Sequence, residues 1–149
     1  MKSLKWVGLG AVILAIGAAM LTALNMGETS PVFVTGTITV PEEMRGDAAG
    51  IETLFVIIND EANPMPMPFG AMKERMPIDL SQPIPFFVTK ESLRMMNPDA
   101  APPQQMRVKV RIDKDGTAGV DQPGDLTAIV EHVSFGTKDL KITINHRVP

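Results

Sequence analysis

Leu54-Phe55-Val56-Ile57-Ile58-Asn59, continued by Asp60-Glu61-Ala62-Asn63-Pro64-Met65-Pro66-Met67-Pro68 and then by Phe69 to Arg75, is the stretch whose reading decides the fold. In the first six residues both alternating sets are apolar: Leu54, Val56 and Ile58 on one side, Phe55 and Ile57 on the other. A strand of that kind suits the centre of a sheet, where both faces are covered. The segment that follows is neither ordinary strand nor helix. Pro64, Pro66 and Pro68 remove three backbone donors within five residues and fix φ near −65°, so the chain runs extended and presents Met65, Met67 and Phe69. This apolar, proline-held segment has two readings: an edge-protecting loop whose prolines block strand addition, and the working surface, a rigid apolar face with Pro64, Met65, Pro66, Met67, Pro68, Phe69 and Arg75 as partner-binding residues.

Outward from that centre the chain reads as short strands between turn signals. Val32 to Val40 places Val32, Val34, Ile38 and Val40 on one face and Thr35, Thr37 and Thr39 on the other, with Gly36 marking a bulge or a close backbone approach. Glu42 to Gly50 reads as a polar loop with at most one helical turn over Glu42-Glu43-Met44. Ala71 to Ile78 is a mixed strand, and Gln82 to Thr89 is a strand with Ile84, Phe86 and Val88 on one face. Pro83 and Pro85 put the latter at a sheet edge. Lys90 to Met96 reads as a turn or short helix bringing Met95 and Met96 inward. Met106 to Asp113 has Val108, Val110 and Ile112 facing in and Arg107, Lys109, Arg111 and Asp113 facing out. Asp113-Lys114-Asp115-Gly116 and Asp121-Gln122-Pro123-Gly124-Asp125 are turns. Leu126 to Val133 and Lys138 to Arg147 close the series, the last with Leu140, Ile142 and Ile144 in. The expected fold is all-β: an Ig-like, Greek-key β-sandwich of about seven strands over residues 32–149.

The N-terminal part differs in kind. Trp6 to Leu24 is uncharged and almost wholly apolar, and nineteen residues at about 1.5 Å each span roughly the hydrocarbon core of a bilayer. Residues 1–25 therefore read as one transmembrane helix, and residues 26–31 as a linker. The competing reading is a secretory signal peptide cut near Gly17-Ala18-Ala19; the apolar run through Met20, Leu21 and Leu24 favours an uncleaved anchor. Lys2 and Lys5 precede the span and no Lys or Arg follows until Arg45, which puts the rest of the chain away from the cytoplasm. In a Gram-negative cell this is a single-pass inner-membrane protein with a periplasmic domain. Ala11, Ala15, Ala19 and Ala23 repeat every four residues, a face where another membrane helix can approach closely; alanine's general frequency in such helices explains the pattern as well.

Composition narrows the function. The net charge is −3 with no long run of one sign, so a nucleic-acid partner is not expected. The absence of cysteine excludes thiol catalysis, disulfides, iron–sulfur ligation and covalent haem attachment to this chain. Eleven methionines are many for 149 residues. Met65, Met67, Met72, Met76, Met95 and Met96 fall close together, and thioethers are soft ligands that suit Cu(I). Met65, Met67, Met95 and Met96 are the candidate ligands, against the plainer reading of methionine as a filler of irregular apolar gaps. His132 and His146 are the residues that could complete such a site, but each continues the apolar face of its strand and reads as structural. Ser134 and His132 share a face by alternation without the third group that nucleophilic catalysis needs. Asp113, Asp115, Asp121 and Asp125 read as turn formers, with weak Ca²⁺ binding as the remoter option. No Gly-rich phosphate loop is present. An enzyme is not expected, and no cofactor is assigned.

Taken in order, several pieces resemble the C-terminal periplasmic domain of the CcmI (CycH) family of c-type cytochrome biogenesis factors. Val34-Thr35-Gly36-Thr37-Ile38 resembles the family's opening strand. Leu54-Phe55-Val56 followed by Pro64-Met65-Pro66-Met67-Pro68 resembles its "LFVFAR … GPPMPLAV" core. Lys73 to Pro77 and Ile84 to Val88 resemble the basic strand and the "LPL" strand after it. Met95-Met96 stands where the family has a methionine after a short acidic turn, and Gln122-Pro123-Gly124-Asp125-Leu126 resembles its "PQPGDL" turn. The resemblance covers roughly residues 32–147. It implies a helper that holds apocytochrome c and presents it to the haem-ligation machinery. Family members usually carry two membrane spans and a tetratricopeptide-repeat region that grasps the client; this sequence has one span and no such repeats. The resemblance therefore leaves a second reading open, a structural accessory subunit packed on a membrane respiratory or haem-protein complex.

Overall fold

A computed structural model describes residues 30–65 and 67–149. The membrane-anchor expectation, with Ala11, Ala15, Ala19 and Ala23, lies outside the described residues, as does Pro66. Among the described residues no helix is long and apolar enough to cross a membrane.

Strand β2 (Thr53–Asp60) occupies the interior of a sheet, as its apolar run requires. It pairs antiparallel with β3 (Gly70–Arg75) on one side and with β6 (Gln105–Asp113) on the other. That sheet has six strands in the order β5-β3-β2-β6-β7-β9, where β5 is Arg94–Met95, β7 is Leu126–Ser134 and β9 is His146–Arg147. A second sheet of three strands has the order β4-β1-β8, with β1 at Val32–Thr39, β4 at Ile84–Thr89 and β8 at Thr137–Thr143. The two sheets share one core, so the architecture is sandwich-like. Leu54, Val56, Ile58, Val108, Val110, Ile112 and Leu126 come from the larger sheet; Val34, Ile38, Val88 and Ile142 come from the smaller. Each fully buried side chain of this size contributes about 1.5–3 kcal/mol. The sheet edge expected at Pro85 is present: β4 pairs with β1 and lies at the margin of the small sheet.

Four departures from simple alternation shape the molecule. First, β1 carries a bulge: Val32 stands opposite Thr89 but Val34 opposite Val88. The extra residue lets Phe33 and Val34 both turn inward, fully buried, while Val32 is only half-buried. Phe33 then packs between Phe69 (ring centroids 5.7 Å apart) and Phe135 (5.1 Å, edge-on). Second, the run expected as one last strand is two. The Ile144 amide still donates to Thr39 in β1, whereas the Asn145 amide donates to Thr127 in β7. The chain changes sheets between them, with Ile144 wholly buried at the corner. Third, residues Glu42–Ala48 form a helix, α1, longer than the single turn expected. Met44 and Ala48, four residues apart, pack on the core, and Arg45 Nε donates to the Val40 carbonyl at 3.2 Å. Fourth, Arg111 and Asp113, expected to face solvent, are buried to about 1% exposure. The loop after β6 folds back over them.

The histidines are also corrected. A bulge in β7 falls between the pairs Val108–Val130 and Met106–Val133. His132 takes φ 58° there and is exposed instead of continuing the apolar face. Its amide donates to Glu61 Oε1 at 2.6 Å and its Nδ1 lies 2.9 Å from Glu61 Oε2. That amide bond holds the Glu61 carboxyl below its ordinary range. His146, in the two-residue edge strand β9, is exposed as well.

Gly36 is the close approach anticipated for it. A Cβ at this position would stand 1.9 Å from the Leu140 carbonyl oxygen and 2.9 Å from the Phe86 ring. Gly46, in α1, has open space around it. Thermal or denaturant unfolding should therefore separate the two. Gly36→Ala is expected to lose on the order of 3 kcal/mol, because backbone on the neighbouring strand must move. Gly46→Ala is expected to gain about 0.5–1 kcal/mol from helix propensity.

Candidate functional site

The proline segment is launched by side-chain turns. The Ala62 amide donates to Asp60 Oδ1 at 2.9 Å and the Met65 amide to Asn63 Oδ1 at 3.0 Å. It is caught again at Phe69, whose amide donates to the Ile58 carbonyl at 2.7 Å. Phe69 folds onto the core against Phe33 and so ceases to be a surface residue of the usual kind. Between these two fixed ends Met65 and Met67 stand 59% and 47% exposed. The Met96 amide reaches the Phe69 carbonyl at 3.4 Å, which brings the chain after β5 alongside. The expected inward turn of both methionines there holds only for Met95, which is half-buried; Met96 is 64% exposed.

The result is a groove of about 320 Å³ lined by Met65, Met67, Pro68, Phe69 and Met96, with Asp60, Asn63 and Asn97 supplying its polar atoms. Pro68 and Met96 are shared with a longer trough of about 710 Å³ on the outer face of the large sheet. Its floor and walls include Phe55, Ala71, Lys73, Arg94, Met95 and Thr117. The methionines thus divide into two populations. Met72, Met76 and Met106 are buried fillers, whereas Met65, Met67 and Met96 converge on one surface cleft. Arg75 is not part of it. It sits at the opposite end of β3 and lines a separate cleft of about 600 Å³ with Glu74, Pro85 and Phe87.

One wall of the trough is the loop 114–121, and sequence reasoning missed how it is held. The Arg111 guanidinium donates from Nη1 to the Gly119 carbonyl (2.7 Å) and Asp121 Oδ1 (3.1 Å), and from Nη2 to the Thr117 carbonyl (3.3 Å). Its Nε lies 2.7 Å from Asp113 Oδ2. Lys109 Nζ also donates to Asp121, at 2.7 Å from Oδ1, and Lys73 Nζ donates to the Gly116 carbonyl at 2.8 Å. Lys73 and Arg111 further stand 5.8 and 5.1 Å over the Phe55 ring, so on the second face of β2 Phe55 is covered by cations and their stems, with no further strand there among the described residues. The acids keep the turn-forming role read from the sequence. Asp113 Oδ1 accepts from the Gly116 amide (2.7 Å), and Asp125 accepts from the amides of Lys114 (3.0 Å) and Gln122 (2.8 Å). Among the described residues no group of three or more His, Asp or Glu side chains is placed to hold a metal ion. No protein-family model, curated protein or solved structure matches the chain.

Burial alone would raise the Asp121 carboxyl, but the hydrogen bonds from Lys109 and Arg111 outweigh it and hold the group below the ordinary carboxylate range. Its folded value is thus lower than its unfolded one. The stability it contributes is complete above about pH 5 and is lost as pH falls through the folded value, below about 3.9. Limited proteolysis within Thr117–Val120 is expected to accelerate in that acid window, and Asp121→Asn to give fast cleavage with no such pH step. Arg111→Met, which leaves buried Asp113 without its partner, is expected to lower unfolding stability by about 3–5 kcal/mol.

Proposed function

We propose that the domain binds an extended, apolar segment of another polypeptide in the methionine groove and does no chemistry on it. The observation that carries this reading is the convergence of three exposed methionines on one groove that continues into a longer trough. Thioether side chains are flexible and polarizable, so a methionine-lined cleft adapts to varied apolar clients. A segment held at both ends, by the Asn63 turn and by the Phe69 amide, loses little freedom on binding. The resemblance to the CcmI family supplies the client class: an unfolded apocytochrome c, or a component of the haem-ligation machinery, met in the periplasm by a domain on a single membrane anchor. The Ig-like topology belongs to the same proposal and is supported by β1 lying between β4 and β8, strands far apart in sequence.

Anisotropy of a labelled apocytochrome c polypeptide against the full chain in detergent tests this. Met67→Asp and Met96→Asp should each weaken binding about tenfold or more, some 1.4 kcal/mol. Ile78→Asp, at a fully exposed site beyond the far end of β3, should leave it unchanged. Equal affinity for all four proteins would remove the groove from consideration. The same three thioethers favour a second reading, a Cu(I) site. Titration with Cu(I) against a chromophoric chelator decides it: Met65→Leu/Met67→Leu keeps the groove apolar, so unchanged metal affinity would exclude copper while leaving peptide binding intact.

A further inference from the structure

The groove lies at a particular end of the sandwich. The Pro31 carbonyl accepts from the Lys90 amide, Phe33 packs against Phe69, and the Phe69 carbonyl accepts from the Met96 amide. The point where the chain leaves toward residue 29 is therefore only a few side chains from the groove. Residues 25–31, fully extended, reach at most about 25 Å. On the sequence reading of Trp6–Leu24 as a span, this end of the domain cannot stand farther than that from the bilayer. The opposite end, with Arg75 and Ile78, is about 27 Å farther along the eight residues of β2.

From this placement, and resting on the peptide-binding reading above, we infer that the methionine groove is held at the membrane surface and that its occupant is the stretch flanking a transmembrane span of another polypeptide. Lipid is the competing occupant of such an apolar cleft. Against it, Lys90, Glu91, Arg94 and Asp99 are all exposed on the segments beside the groove. Charges of both signs there would have to enter the apolar layer with the methionines, at several kcal/mol each by the energetics of unpaired buried ions. The end of the domain therefore rests in the aqueous headgroup zone, where a chain leaving the bilayer is extended and still apolar. A tethered groove also meets such a segment at a raised effective concentration, so weak contacts suffice.

The chain has no cysteine, so a single introduced thiol carries the only label. Full-length Met67→Cys and Ile78→Cys, each bearing a fluorophore, are placed in nanodiscs containing headgroup-nitroxide lipid. Severalfold stronger quenching at position 67 is expected; equal quenching at both overturns the orientation without touching peptide binding. In parallel, a photocrosslinker replaces Met96 in intact membranes and the adducts are sequenced. Adducts within about one helix length, some 20 residues, of a membrane span support the inference. Adducts confined to water-soluble proteins overturn the membrane-flanking occupant while sparing the groove. Adducts on lipid alone overturn both readings.

Discussion

The structure depends on β2 having no free surface. Both of its hydrogen-bonding edges are taken, by β3 and β6, and its inner face is sealed against the smaller sheet. Its outer face carries a phenylalanine that water would otherwise reach, and charged side chains do the covering. Two cations lie over the ring, and one of them, Arg111, is itself kept from water by a loop whose carbonyls and carboxylate it gathers. A buried guanidinium is costly unless its donors are met. Here the loop supplies partners for Nη1 and Nη2, while Nε lies against Asp113 in ion-pair contact without a hydrogen bond, so covering Phe55 and fixing one wall of the trough are the same event.

The surface groove follows from what the chain does on leaving that strand. Most of the methionines near the core do what methionine does elsewhere, filling gaps between β-branched neighbours. Met65 and Met67 are held out of the core by backbone geometry: side-chain turns on one side of the prolines, an aromatic anchor on the other. Phe69 is the pivot. The sequence places it on the exposed ridge, yet its ring packs onto the core against Phe33, and its backbone positions both the end of the proline segment and the arrival of Met96. The ridge is in this sense a surface built from the core outward.

Much of this was legible in the residues, and the failures share a cause. The interior placement of β2, the edge placement of β4 at Pro85, the close approach at Gly36 and the aspartate turns all follow from local rules of alternation, donor loss and turn chemistry. Where alternation slips by one residue, those rules assign the wrong side. The bulge at Phe33 hid a core aromatic, and the bulge at His132 turned an apparently inward histidine to solvent. Arg111 and Asp113 read as solvated because nothing on β6 itself announces that a distant turn will fold over it; the one local hint is the uncharged Ala118-Gly119-Val120 inside that loop. The sheet change at Ile144 was invisible for a similar reason, since an unbroken apolar alternation continues through it. For the groove, the sequence supplied Met65, Met67 and Met96 but not Arg75's separation from them, which is a matter of strand direction.

The parallel pairing of β1 with β8 has a consequence for how the domain comes into being. Gly36 meets Leu140 across 104 positions of chain (140 − 36), and β1 is the middle strand of its sheet. Until the ribosome has delivered nearly everything, β1 has one partner at most, and Phe33, Val34 and Ile38 have no finished core to enter. Contacts of such long sequence separation slow folding and prolong the exposure of sticky intermediates. Closure of the small sheet is thus a late step, complete only when β8 reaches β1.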